Sequence, residues 1–134
     1  MKKMIWMADD DAEIRSAMKM MLNMLGYDLR AFRDVQSVAS ALLGGEKPDL
    51  LFLDINMPEV NGVEFLAVVR QRPEWERLPI IIVSSDTEEK RVEQVFRLGG
   101  DGYVFKPVNI DELDMQINSA IQRRKVALER KDIA

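Results

Sequence analysis

Along the chain, short apolar runs alternate with longer amphipathic stretches. The runs are Met4–Met7, Leu29–Phe32, Leu50–Leu53, Pro79–Val83 and Gly102–Phe105, each of strand length. Leu50 to Leu53 and Ile80 to Val83 are apolar without alternation, as expected of central parallel strands covered on both faces. Between the runs, apolar residues recur at helical spacing. Ile14, Met18, Met21, Leu22 and Leu25 form one stripe, with Asp11 as its N-cap and Gly26 as its end. Val35, Val38, Ala39 and Leu42 follow Asp34 and stop at Gly44-Gly45. A third stripe, Val63 to Val69, starts after Asn61-Gly62, and a fourth, Val92, Val95, Phe96 and Leu98, closes at Gly99-Gly100. The fifth begins near Asp111 and runs through Leu113, Ile117 and Ile121 toward Leu128. Strand then helix, five times over, predicts an α/β fold. Its core is a doubly wound five-stranded parallel sheet, order 2-1-3-4-5, with helices on both faces.

The chain has 134 residues, which fits one ordinary domain. We assign residues 1–122 to it. Residues 123–134 are dense in charge and sparse in apolar positions, and read as a solvated helical tail. Such a tail ends a free-standing protein equally well as it leads to an output domain absent from this chain. A hydrophobic content of 47% supports a core without cross-links. Cys and His are both absent, which excludes disulfides, thiolate or imidazole metal sites, and any Cys or His base. A bound metal would need oxygen ligands, which favours Mg²⁺, Ca²⁺ or Mn²⁺. The net charge of −4 argues against direct nucleic-acid binding. No apolar run is long enough for a membrane span or a signal peptide, so the expected location is cytoplasmic.

The chemistry gathers at the strand ends. In an open parallel sheet, ligands bind beyond the carboxyl ends of the strands. There stand Asp9 and Asp10, Asp54, Ser84 and Lys106. Taken singly, each has a bland reading as cap, turn residue or surface charge. Taken together, three carboxylates, a hydroxyl and an ammonium on one rim are poorly explained that way. Adjacent like charges about 4 Å apart repel by roughly 1 kcal/mol in water and roughly 4 kcal/mol at an effective dielectric near 20. A hard divalent cation between Asp9, Asp10 and Asp54 relieves this, while Asp11 caps the helix. Asp54 could then accept a phosphoryl group, since carboxylates are established covalent acceptors. Lys106 and Ser84 would bind the phosphoryl oxygens.

The pieces ADDDAEIR, LFLDINMPEVNG, LPIIIVSSD and GGDGYVFKPV, in this order and spacing, resemble the receiver domain of two-component response regulators. The resemblance implies a flavodoxin-like fold and a Mg²⁺-dependent aspartyl phosphate, with Mn²⁺ as an alternative ion. The implied donor is a sensor histidine kinase or a histidine phosphotransfer protein. Carried over by position, Asp54 is the phosphoacceptor. Asp10 is a direct metal ligand, Asp9 acts mostly through water, and the Asn56 backbone carbonyl is a third ligand. Lys106 pairs with the phosphoryl group, Pro107 follows a cis bond, and Ser84 and Tyr103 are the switch hydroxyl and switch aromatic. Asn56 and Asp86 would tune the dephosphorylation rate. The face of the fourth helix, fifth strand and fifth helix (α4-β5-α5) would change shape and engage a downstream effector, an output domain or a second copy of the chain. Ser84 stands where threonine is commoner, and Asn61-Gly62 where Asp-Gly is usual.

A phosphatase of the haloacid-dehalogenase type also uses an Asp nucleophile at the end of a parallel strand. It needs a second Asp two residues on, where this chain has Asn56, and it usually carries a cap domain. A receiver that has lost phosphate chemistry would lack part of the site set, and here the set is full. A flavin or nucleotide binder would place a Gly-rich phosphate loop after the first strand, where acids stand instead.

Overall fold

The computed structural model describes residues 2–57 and 62–133. Its strands are β1 (Met4–Ala8), β2 (Asp28–Phe32), β3 (Leu50–Asp54), β4 (Ile80–Ser84) and β5 (Gly102–Phe105). The helices are α1 (Ala12–Met24), α2 (Val35–Leu43), α3 (Gly62–Arg70), α4 (Glu89–Arg97) and α5 (Ile110–Ile133). A single 3₁₀ turn, Pro73–Trp75, lies between α3 and β4. All pairings are parallel and the order is β2-β1-β3-β4-β5, the doubly wound order read from the sequence. Asn61, expected in the turn before α3, lies outside the described residues. Among the described residues, no helix is long and apolar enough to cross a membrane.

Alternation along the strands divides the interior into two cores, because successive side chains leave opposite faces of a sheet. Ile5, Met7, Leu50, Phe52, Ile81, Val83 and Val104 pack with Met18 and Leu22 of α1 and Leu113 and Ile117 of α5. Trp6, Ala8, Leu51, Leu53, Ile80 and Ile82 face the other way, toward α2, α3 and α4. Each such side chain contributes roughly 1.5–3 kcal/mol by leaving water. β2 is the exposed edge. Its Arg30 lies 4.7 Å over the Phe32 ring and pairs with Glu46 at 2.9 Å, a charged edge that resists pairing with another chain.

Helix ends follow local chemistry. Asp11 caps α1 by accepting from Glu13 N at 2.9 Å, and Asp34 caps α2 by accepting from Ser37 N at 2.8 Å. Asn109 does the same for α5, toward the backbone of Asp111. Gly26, at φ 90°, ends α1 in the left-handed region that glycine enters without strain.

Beyond residue 122 the described side chains of α5 up to Lys131 are exposed or half-exposed. The helix runs unbroken through residue 122 to Ile133, and several of its charges are tied to the body. Arg124 Nε lies 3.4 Å from Asp101 Oδ1, Arg123 donates to the Asp101 carbonyl, and Lys131 pairs with Glu76. The focus of these contacts is a buried ion cluster at the foot of the sheet. Asp101 is 3% exposed and accepts from Arg70 Nη2 at 2.8 Å and Ile80 N at 3.0 Å. Arg70 also donates to the Gly99 carbonyl at 2.8 Å. Burial pulls the Arg70 guanidinium down to about 10 and pushes the Asp101 carboxyl up, although each partner's charge opposes the shift of the other.

Candidate functional site: an acidic pocket at the carboxyl rim

Register brings the rim residues together. Ala8 lies opposite Leu53, so Asp9, one residue beyond β1, comes beside Asp54 at the tip of β3. Asp54 is opposite Val83 and Ser84 is opposite Phe105, which carries the row on through Ser84 to Lys106. Lys106 N donates to the Ser84 carbonyl at 2.8 Å, and the Lys106–Pro107 bond is cis.

Carboxylate oxygens of Asp9, Asp10 and Asp54 lie within 4.8 Å of one another, with Asp9 and Asp54 buried and Asp10 exposed. Lys106 Nζ stands 3.2 Å from Asp9 Oδ2 and 3.5 Å from Asp54 Oδ1, bridging the two buried acids. Burial pushes the Asp9 carboxyl above the usual carboxylate range. The Asp54 charge adds to that shift, while the Asp11 backbone N–H and Lys106 oppose it. Asp9 Oδ1 accepts from Asp11 N at 2.9 Å, while the Lys106 ammonium, 3.2 Å away, is the partner of the buried Oδ2. One ammonium leaves the three converging carboxylates with excess negative charge, which a bound cation would offset. An oxygen-only set of two buried acids and one exposed acid, faced by a single ammonium, fits a hard divalent cation.

The remaining residues take up distinct places. Asn56 is exposed, and its backbone N donates to Asp54 Oδ1 at 3.0 Å. Among the described residues no hydrogen bond is made to Asp54 Oδ2. Ser84 is fully buried, and its hydroxyl oxygen accepts from Asp86 N at 2.9 Å. Tyr103 is turned inward at 5% exposure and donates its hydroxyl to the Asp86 carbonyl at 2.8 Å. Burial raises the Tyr103 phenol above its usual range, against the opposing effect of the Ser84 hydroxyl. The Asp86 carboxylate accepts from Glu88 N at 2.9 Å and faces Arg91 Nε at 3.5 Å. It is therefore engaged at the head of α4.

Two features escape a residue-by-residue reading. Arg15, on the second turn of α1, donates from Nη1 to the Asp9 carbonyl at 2.7 Å. Nothing in periodicity marks such a reach across six residues. Gly62 lies so close under the site that a Cβ there would stand 2.6 Å from the Asp54 carbonyl oxygen. Its place at the start of α3 was legible in the sequence; the close approach was not. A cavity of about 500 Å³ opens beside the acids and shares Lys106 with them, lined also by Ile14, Met18, Met21, Pro107 and Val108.

A family model described as the response regulator receiver domain matches residues 5–118. Protein RcaC of Microchaete diplosiphon is 34% identical over 89% of this chain, which corresponds to 18% of that protein. The KDP operon transcriptional regulatory protein KdpE of Escherichia coli (strain K12) is 31% identical over 89% of this chain and 51% of its own length. The chain thus spans about half or less of these curated relatives. In fold it is similar to the chemotaxis protein CheY4 of Vibrio cholerae, with a TM-score of 0.80 at 24% identity over 90% of this chain and 99% of that one.

Proposed function

Because the chain belongs to the response regulator receiver family, the phosphoryl-accepting module of two-component phosphorelays, we propose that Asp54 is its phosphoacceptor. The observation that carries this reading is the convergence of Asp9, Asp10 and Asp54 beneath Lys106. With Oδ1 held by Asn56 N and facing Lys106, Oδ2 is the attacking oxygen. A bond forms from Oδ2 to phosphorus as the phosphorus–nitrogen bond of a donor phosphohistidine breaks. The electron pair returns to the imidazole, which takes up a proton from solvent. Lys106 turns from the acids to the new phosphoryl oxygens, and Ser84 donates its hydroxyl to one of them.

Asp9, Asp10, Asp54 and the Asn56 carbonyl would hold Mg²⁺ or Mn²⁺. When bound, the ion supplies positive charge to the transferring phosphoryl group. The cavity between α1 and Pro107 gives a donor protein an apolar foothold beside Lys106. On the output side, Ser84 and Tyr103 both grip the Asp86 backbone. Recruitment of the Ser84 hydroxyl to the phosphoryl group therefore shifts the population of the loop before α4. That loop leads to the face carrying exposed Phe96, Phe105 and Met115, where an effector, an output domain or a second copy would bind. For Asp86 to influence hydrolysis, its carboxylate has to leave Glu88 N and Arg91, so rate tuning falls first to Asn56.

Intact mass after incubation with a small-molecule phosphodonor tests this. The expected result is one added phosphoryl group with Mg²⁺ and none with a chelator. An equal gain in both conditions would refute a cation-dependent site.

A further inference from the structure

The loop joining β1 to α1 carries two adjacent acids past Ala8, the last residue of β1, and only the first of them keeps a bond to the neighbouring strand. Three contacts hold it in place. Asp9 N donates to the Phe32 carbonyl at 3.1 Å, Asp9 Oδ1 accepts from Asp11 N at 2.9 Å, and the Asp9 carbonyl accepts from Arg15 Nη1 at 2.7 Å. The first continues the bonding to β2, and the second is a local turn closed by the Asp9 side chain. The third is a charge-assisted bond from a half-buried guanidinium, stronger than a neutral one. Arg15 N also donates to the Asp11 carbonyl at 3.1 Å, so both ends of this residue are tied to the acidic loop.

We infer that Arg15 is a positioning residue for the cation site. It fixes the Asp9–Asp10 backbone so that both carboxylates face Asp54, and its bond goes to a main-chain carbonyl, not to a carboxylate oxygen. The inference rests on the proposed reading of Asp9 and Asp10 as cation ligands. Two effects oppose each other here. The guanidinium charge repels a dication, and the backbone lock pre-organises its ligands. The lock prevails, because Asp9 has to hold its buried carboxylate toward Asp54 and Lys106, and a loop free to turn would carry it out to water instead.

Titration of the whole chain with Mn²⁺, read by the electron paramagnetic resonance of the free ion, tests the assignment. Arg15→Met should weaken Mn²⁺ binding about tenfold, the lower range for loss of an outer-sphere partner. Arg15→Lys, which keeps a charged donor long enough to reach the carbonyl, should restore most of it. Arg15→Gln is too short to reach and carries the same expectation as Met, so it replaces Met if that variant does not fold. Binding by Arg15→Met or Arg15→Gln as tight as wild type, or tighter, would overturn the inference, as would a Lys variant no better than Met. If wild type itself bound no Mn²⁺, the cation-site reading would fall, and this inference with it.

Discussion

Gly62→Ala reaches the site without changing any polar group in it. A Cβ at this position would stand 2.6 Å from the Asp54 carbonyl oxygen, 3.1 Å from its carbon and 3.2 Å from Ile55 Cα. Close carbon–oxygen contacts settle at about 3.3 Å or beyond, so the two segments must separate by about 0.7 Å. All three neighbours are backbone atoms and cannot rotate away. Overpacking of this kind costs about 1–3 kcal/mol, offset by up to about 1 kcal/mol from alanine's better helix propensity at the start of α3. The net expectation is a loss of roughly 1–2 kcal/mol in urea unfolding. The functional effect is larger, because the displaced atoms belong to the proposed nucleophile. A misplacement of about 1 Å can cost on the order of 100-fold in rate, so several tenths of an ångström should slow phosphorylation on the order of tenfold. Gly44→Ala is the control. Its Cβ would meet only the Ala41 and Ser40 carbonyls at 3.4 Å, and it should behave as wild type. A Gly62→Ala protein as stable as Gly44→Ala and phosphorylated at the wild-type rate would refute the steric argument.

Other expectations concern charge. Asp9→Asn should stabilise the metal-free protein at pH 7 on the order of 1 kcal/mol while abolishing cation binding. The sign follows from the raised folded-state pKa of Asp9. Its contribution to stability is fully present below the unfolded value near 3.8 and is lost as pH rises through the folded value, whereas Asn keeps the neutral form throughout. The gap between the two proteins should therefore close on acidification, and a gap independent of pH would contradict this. Asp101→Ala should cost about 3–5 kcal/mol, because it leaves Arg70 and Arg124 without their buried partner. Denaturant unfolding measures it, and a loss below about 1 kcal/mol would mean that water solvates the cluster. Mg²⁺ at 100 times its dissociation constant should add about 2.7 kcal/mol to wild type and nothing to Asp10→Asn; equal thermal shifts in both would remove Asp10 from the ligand set.

The strands were legible because apolar runs stop at polar or charged residues, and every boundary fell within a residue of its expected place. The remaining errors are themselves informative. β1 and β3 run one residue further, to Ala8 and Asp54, because a strand that delivers a carboxylate to the rim keeps its ladder bonds up to that residue. Strand order then placed Asp9, Asp54, Ser84 and Lys106 in one row without any side-chain information. What stayed hidden depends on long, flexible side chains. Arg15 bridges six residues and Arg70 reaches Asp101 across 31, and no periodicity records either. The charges of Arg123 and Arg124 looked solvated because the buried acid that fixes them, Asp101, is remote in sequence. Register sets Tyr103 opposite Ile82, two residues before Ser84, but its inward rotamer depends on the Asp86 carbonyl, which only the fold of the loop before α4 supplies.

The most direct test of the central claim is to locate the phosphoryl group. Wild-type protein is phosphorylated with Mg²⁺ and trapped by borohydride reduction, which converts an aspartyl phosphate to homoserine, and the peptides are then sequenced by mass spectrometry beside a folded Asp54→Asn control. Conversion at position 54 alone, with none in the control, is the expected result. Conversion at another acid, or a phosphoryl group retained by Asp54→Asn, would contradict the account.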